Sequence, residues 1–304
     1  MRRFVRYKNG NYTVTLDTVT GTKIRENDLD FFEPDTVESM DIKITNCCDM
    51  GCLMCHENST PDGKHADILG PSFLDRLHPY TELAIGGGNP LSHPDLYEFL
   101  LKCKEKEFIP SMTVNQVHFE KNYDFIKKLV DERLIYGLGV SLNRATDDFV
   151  AKVKAIPNAV IHVINGIISI EQLLRLKDQG LKILILGYKV FRRGETLYDQ
   201  EKNLIDRRKR ITYDLLPQIV EEEWFKVVSF DNLAIEQLKP QRLMDEAEWN
   251  EFYMGDDGIG DGFTSASMYV DMVERKFAKN SCDPVRYDLA PTIEDMYRFL
   301  KFNN

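Results

Sequence analysis

No apolar run in the chain approaches the roughly 18 residues of a membrane span. The start, MRRFVRYKNGNY, has no apolar core behind its basic residues, so nothing there resembles a secretory signal. A positive surplus is missing too: 39 Lys and Arg against 49 Asp and Glu leave a formal net charge of −10. Phosphate neutralisation needs a basic face, so this balance counts against a nucleic-acid partner. The one basic run, Arg207-Arg208-Lys209-Arg210, reads as a solvated helix face paired with nearby acids. There is no repeat of fixed period and no low-complexity tract. Cysteine is scarce outside one segment, ITNCCDMGCLMCHEN (44–58), which holds four of the six. These absences predict a cytoplasmic globular protein, with no membrane contact, whose thiols stay reduced. Clustered cysteines then suggest metal or catalysis rather than disulfides. With 304 residues and 43% hydrophobic content, the chain is long enough for one large domain or two smaller ones.

Residues 4–25 alternate polar and apolar around Asn9-Gly10-Asn11 and Thr20-Gly21-Thr22, the pattern of two short hairpins. After Pro34 the rhythm changes to strand then helix. MDIKIT (40–45) leads into the cysteine loop and a helix near Ser72–Leu77. ELAIGGG (82–88) leads into PDLYEFLLKCKEK (94–106), and SMTVNQ (111–116) into YDFIKKLVDER (123–133). YGLGVSLN (136–143) is followed by DDFVAKVKAI (147–156), AVIHVIN (159–165) by IEQLLRLKDQG (170–180), and KILILGYK (182–189) by LIDRRKRITYDLLPQIV (204–220). Continuously apolar strands such as KILIL belong in a parallel sheet covered on both faces. The expected fold is therefore α/β, a partial (β/α)6 TIM-like barrel with functional residues at the C-terminal ends of its strands. Residues 1–35 form a hairpin extension, 36–224 the barrel core and 225–304 a C-terminal segment. In that segment FKVVSF reads as one more strand, GDDGIGDGF (255–263) as a loop, and SMYVDMVERKFA (267–278) as strand or helix.

Cys48, Cys52 and Cys55 are spaced C-x3-C-x2-C, leaving Cys47 over. Three thiolates on a loop can hold three irons of a cubane cluster and leave the fourth open. The alternative is zinc, held tetrahedrally by Cys47, Cys48, Cys52 and Cys55, or by three of them with His56. Zinc sites usually pair two separated knuckles, and there is no second one here.

The spacing, its place after a first β-strand and the GGGNP that ends the second strand resemble the radical S-adenosylmethionine (SAM) superfamily over residues 40 to about 190. The resemblance implies one 4Fe-4S cluster on Cys48, Cys52 and Cys55, with SAM chelating the open iron through its amino and carboxylate groups. One electron then cleaves SAM to a 5′-deoxyadenosyl radical that abstracts hydrogen from substrate. It places Gly86, Gly87 and Gly88 against the methionine amino group. Asn89 stands where the family usually has glutamate, and Met54 where it often has an aromatic that packs on adenine. Ser141 and Asn143 fall where polar side chains meet ribose and carboxylate, Asn165 near ribose, Gly187 near adenine, and Asn115 towards substrate or SAM. For each of these, a turn or cap role is the plain alternative.

Cys103 reads as a small buried hydrophobe. Cys282 is either incidental or a hydrogen-atom donor to a substrate radical. The resemblance also implies a flavodoxin- or ferredoxin-type electron donor. An incomplete barrel, with the hairpins and the C-terminal segment capping it or offering a strand edge, favours a ribosomally made peptide substrate undergoing epimerisation, crosslinking or excision. A small metabolite, or a nucleobase or tRNA, is one alternative; the other is a zinc-stabilised, non-catalytic binding protein in which the hairpins and the C-terminal region contact a partner.

Overall fold

The computed structural model describes residues 3–29, 31–252 and 265–302; the predicted glycine loop 255–263 lies outside them. Three antiparallel strands come first, β1 (Phe4–Asn9), β2 (Tyr12–Asp17) and β3 (Lys23–Glu26), in the order β1-β2-β3. Gly10 and Gly21 turn the two hairpins with positive φ of 56° and 77°, a backbone region open to glycine.

The main sheet begins with β4 (Ser39–Thr45) and β5 (Glu82–Gly87), then α1 (Leu96–Glu105) and β6 (Ile109–Asn115). Two helices, α2 (Gln116–Lys121) and α3 (Tyr123–Asp131), precede β7 (Gly137–Ser141). The alternation continues through α4 (Asp147–Lys154), β8 (Ala159–Ile164), α5 (Ile170–Leu176), β9 (Lys182–Leu186), α6 (Arg193–Glu221), β10 (Val227–Phe230) and α7 (Asn232–Leu238). The chain ends with α8 (Glu246–Phe252), β11 (Ser267–Asp271), β12 (Lys276–Ala278), β13 (Tyr287–Asp288) and α9 (Ile293–Phe302). Ten strands form one sheet, β10-β9-β8-β7-β6-β5-β4-β11-β12-β13. It is a partial β/α barrel, as expected, but it is larger than six units. FKVVSF supplies a seventh strand, and β11 adds an eighth parallel strand on the other flank of β4. The helix predicted near Ser72–Leu77 is a single 3-10 turn, Phe73–Arg76.

Strand periodicity explains the layering. In β4, Met40, Ile42 and Ile44 are buried in the main core among helix residues such as Phe99, Leu100 and Met296. Asp41, Lys43 and Thr45 alternate with them and face the concave side. Several strand ends carry the cap of the following helix: Asn115 accepts from the Val117 N–H at the start of α2, and Asp231 from the Ala234 N–H in α7.

The N-terminal sheet closes one end of the barrel. Val5 and Leu16 pack with Ile109, Tyr80 and Tyr136, which open or precede β5, β6 and β7. Glu38, at the foot of β4, receives Lys23, Arg25 and the Tyr12 hydroxyl. The hairpins therefore plug the N-terminal rim. They do not cap the mouth at which the cysteine loop lies, the place the sequence left open to them.

Candidate functional site

The cysteine loop leaves the C-terminal end of β4 and is zipped along its length. Asn46 N–H donates to the Lys64 carbonyl at 2.8 Å, and Cys48 N–H to the Thr60 carbonyl at 2.8 Å. Thr45 Oγ1 accepts from the Cys47 N–H at 2.9 Å. The glycine run that ends β5 is fastened to it backbone to backbone. Gly88 N–H donates to the Thr45 carbonyl and Asn89 N–H to the Cys47 carbonyl, both at 2.7 Å. A methyl group on Gly88 would sit 2.3 Å from the Cys47 carbonyl oxygen, so only glycine permits this approach. Gly87 takes φ +109°, and its own Cβ would meet the Thr45 carbonyl at 2.4 Å. Around Gly86 there is open space: a Cβ there would have nothing within 4 Å.

All four loop cysteines are free thiols and partly accessible. Burial pushes the Cys48 thiol up, with Cys55 adding to it; burial, Cys55 and Cys48 do the same for Cys52, while Arg193 pulls Cys52 back. Asp49 and Cys47 add to the rise at Cys48 as well. Cys47 is engaged elsewhere, its Sγ donating to the Pro61 carbonyl at 3.3 Å. Among the described residues, the one group of three or more His, Cys or acidic ligand atoms within 4.8 Å of each other is Cys48, Asp49 and His118. In this arrangement the sulfurs of Cys48, Cys52 and Cys55 do not all lie within 4.8 Å of one another. Within the Cys48, Asp49 and His118 group, His118 Nε2 and Asp49 Oδ1 are hydrogen-bonded at 2.6 Å, and this bond first of all holds the Asp49 carboxyl below its usual range. His118, buried on α2, thereby anchors the loop between Cys48 and Cys52.

Two arginines at the start of α6 grip the same loop. Arg193 donates to Asn58 Oδ1 at 2.9 Å, to the Cys52 carbonyl at 3.4 Å and to the Ser59 carbonyl; Arg192 donates to the Glu57 carbonyl at 2.9 Å. Below it, the buried Lys43 ammonium pairs with Glu57 at 2.8 Å and Asp271 at 3.0 Å, tying the loop to β4 and β11. Burial, then the surrounding cations Lys189, Arg192, Lys43 and Arg286, keep His56 well below its ordinary pKa, so the imidazole is neutral. Asp41, lower on the same face, keeps contact with solvent, yet burial by the surrounding walls raises its pKa.

The predicted residues divide. Gly86, Gly87, Gly88 and Asn89 lie beside the cysteine loop, but Asn89 Oδ1 caps the turn after it, accepting from the Leu91 N–H at 3.2 Å. Asn115 and Asn143 form a reciprocal amide pair, 3.0 Å each way, next to Ser141 at the ends of β6 and β7. Asn165 is fully buried; its Nδ2 donates to Gln237 at 3.0 Å and its Oδ1 has no partner. Gly187 is packed by Leu233, which a Cβ would approach to 2.5 Å. Met54 is half-buried in the loop, its carbonyl facing Gly194. Cys282 Sγ lies 3.9 Å from Ser281 Oγ, which accepts from Lys189 Nζ at 3.1 Å, and Lys189 Nζ is 3.5 Å from His56 Nε2. The C-terminal segment thus reaches the mouth. Cys103 is buried in α1, its thiol pushed up to about 12 by burial.

Sequence reading missed Lys43, Glu57, Asp271, His118, Arg192, Arg193 and Lys189. The alternation of Asp41 and Lys43 within MDIKIT was an available signal for a polar inner face. The arginines had none, because they meet the loop across about 140 residues of chain.

No protein-family model and no curated protein sequence matches the chain. Solved structures do. Streptococcus suis SuiB bound to S-adenosylmethionine superposes with a TM-score of 0.61 at 11% identity, over 95% of this chain and 85% of that one. SuiB bound to the precursor peptide SuiA gives 0.62 at 10% identity, over 97% and 87%. At such identity the likeness shows that the fold is shared.

Proposed function

We propose that the chain is a radical SAM enzyme carrying a single 4Fe-4S cluster on Cys48, Cys52 and Cys55. The observation that carries this is the fastening of a three-thiol loop to a glycine strand end whose backbone comes within hydrogen-bond range of Cys47. The residues fit the groups: three free thiols on one loop, open space over Gly86, and an unpartnered buried acceptor at Asn165 Oδ1 suited to a ribose hydroxyl. When bound and reduced, the cluster and SAM supply the 5′-deoxyadenosyl radical.

The chain's own part is placement. Gly86 leaves the methionyl group room, and Gly87 and Gly88 hold strand and loop together. Arg193 and His118 fix the loop from either side. In this reading residues 36–224 are the core, and 225–304 complete the mouth as well as the sheet. The likeness to SuiB, solved with a precursor peptide, supports a ribosomally made peptide as substrate, and a flavodoxin- or ferredoxin-type protein in the cytoplasm would supply the electron. Cys282 at the mouth favours epimerisation among the candidate modifications. Its thiol would give a hydrogen atom to the substrate radical, and the resulting thiyl would take back an electron from that donor and a proton from water.

Anaerobic reconstitution tests the assignment. Protein with about four irons and four sulfides per chain should turn SAM into 5′-deoxyadenosine under reductant. Cys48→Ala, Cys52→Ala and Cys55→Ala should each abolish this, whereas Cys47→Ala should not. Colourless, zinc-loaded protein that binds no SAM would overturn it.

A further inference from the structure

Charges around the mouth do not balance. Glu57 and Asp271 are matched by Lys43 and by Arg192, which reaches Glu57 at 4.0 Å. Lys189 and Arg286 are then left over. Both are half-buried, and among the described residues neither has a carboxylate in ion-pair range. Lys189 touches only neutral groups, Ser281 Oγ and His56 Nε2. Arg286 donates to the Ser281 carbonyl at 2.7 Å and the Asn280 carbonyl at 3.4 Å, and its guanidinium lies over the Tyr269 ring at 4.5 Å. The carboxylates that act on Lys189, Asp41 and Asp231, both lie outside ion-pair range. Holding two cations half out of water is costly when no carboxylate pairs with them directly. Neutral contacts and ring stacking orient them without neutralising them.

Position in the sheet separates the Arg286 side of this pair from the glycine cradle, while Lys189 reaches the mouth from the loop after β9. β4 lies between β5 and β11. The glycines end β5 on one flank of the cysteine loop, whereas Tyr269, Ser281 and Arg286 come from β11 and beyond, on the other. Asp41 faces Lys189 from the barrel interior, outside ion-pair range.

We propose that Lys189 and Arg286, bridged by Ser281, form an anion-binding subsite for a carboxylate of the substrate. A planar guanidinium and an ammonium beside a hydroxyl can together donate to both oxygens of such a group. That the carboxylate belongs to a substrate rests on the catalytic reading above. An anchored carboxylate would hold its chain beside Cys282, one residue from Ser281.

Binding of three small probes to the full-length protein, followed by calorimetry, decides the matter. Acetyl-Gly-Glu-Gly-amide carries only a side-chain carboxylate, acetyl-Gly-Gln-Gly only a terminal one, and acetyl-Gly-Gln-Gly-amide none. The subsite requires that one of the first two binds and the third does not, which also tells side chain from terminus. Lys189→Met and Arg286→Met should each weaken that binding at least tenfold. Lys189→Arg should retain it within threefold, which guards against a folding defect, and SAM affinity should change by less than threefold. Equal binding of the neutral probe, no binding of either acid, or indifference to the substitutions would overturn the proposal. So would a tenfold loss of SAM affinity, because the carboxylate would then be SAM's own. Protein that binds an acid probe but never cleaves SAM would sink the catalytic reading while leaving the subsite standing.

Discussion

Neighbouring glycines in one run differ in what they do, and substitution separates them. Gly88→Ala forces a methyl into the Cys47 carbonyl, backbone that cannot swing aside. Roughly 2–3 kcal/mol of stability and most of the bound iron should be lost, read by urea melts and iron content. Gly86→Ala meets nothing within 4 Å, so the melt should be unchanged. If SAM occupies that space, its Kd should rise at least tenfold; an unaltered Kd would remove Gly86 from the site. Cys282→Ser separates a hydrogen donor from a bystander. It should leave 5′-deoxyadenosine formation within threefold while abolishing deuterium uptake from heavy water into the peptide.

His162 carries the pH dependence at this scale. Its ring lies over Gly139, whose added Cβ would come within 2.3 Å of it, and burial lowers its pKa to about 4. The folded state therefore binds its proton less readily than the unfolded one, whose His titrates near 6.5. Stability from this group is intact above about pH 6.5 and falls as pH drops towards 4, by up to roughly 3 kcal/mol. His162→Gln should make that limb shallower, with His56 and His93, also lowered by burial, supplying what remains, seen in urea melts at pH 7, 5.5 and 4.

Among the elements, the cysteine loop is the least regular segment and among the most firmly held. Lys43 sits between Glu57 and Asp271, with side chains 2%, 8% and 8% exposed. Removing the cation leaves the buried Asp271 carboxylate without an ion-pair partner among the described residues and Glu57 with Arg192 at 4.0 Å, so Lys43→Met should cost about 3–5 kcal/mol and lower iron retention with it. A melt within about 1 kcal/mol of the parent would mean that water already solvates these acids. The strands and helices of the core were legible because burial on both sheet faces writes itself as apolar runs, as in KILIL. The thiol triad and glycine run stand out as candidates in the sequence because each lies within one short segment. The arginine grip and the Lys43 pairs do not, since they join residues far apart whose proximity exists only after folding. Asn89 and Gly187, placed near the cofactor by motif position alone, make an N-cap and close packing on Leu233.

At the scale of the molecule, the two ends of the barrel have different tasks. Loops from β4, β5, β9 and β12 meet at the mouth, and the three-stranded N-terminal sheet fills the foot. Hairpin turns were readable from Asn9-Gly10-Asn11 and Thr20-Gly21-Thr22, but local pattern cannot say which end of a barrel a hairpin will cover. The structure shows Val5 and Leu16 on Ile109, and Glu38 held ionised. Burial would raise that carboxyl, and Lys23, Arg25 and Tyr12 outweigh it to bring it below its usual range. A peptide-docking appendage could be removed without unfolding the core, but a plug cannot. Deleting residues 1–35 would uncover the apolar foot and strip Glu38 of its cations. Against a typical stability of roughly 5–15 kcal/mol, that loss should abolish the cooperative melt and drive the protein into the insoluble fraction. Arg25→Met should lower the melt without abolishing it. A soluble, cooperatively folding chain that starts at residue 36 would show that the foot is closed without the hairpins, and that they are free to serve a partner instead.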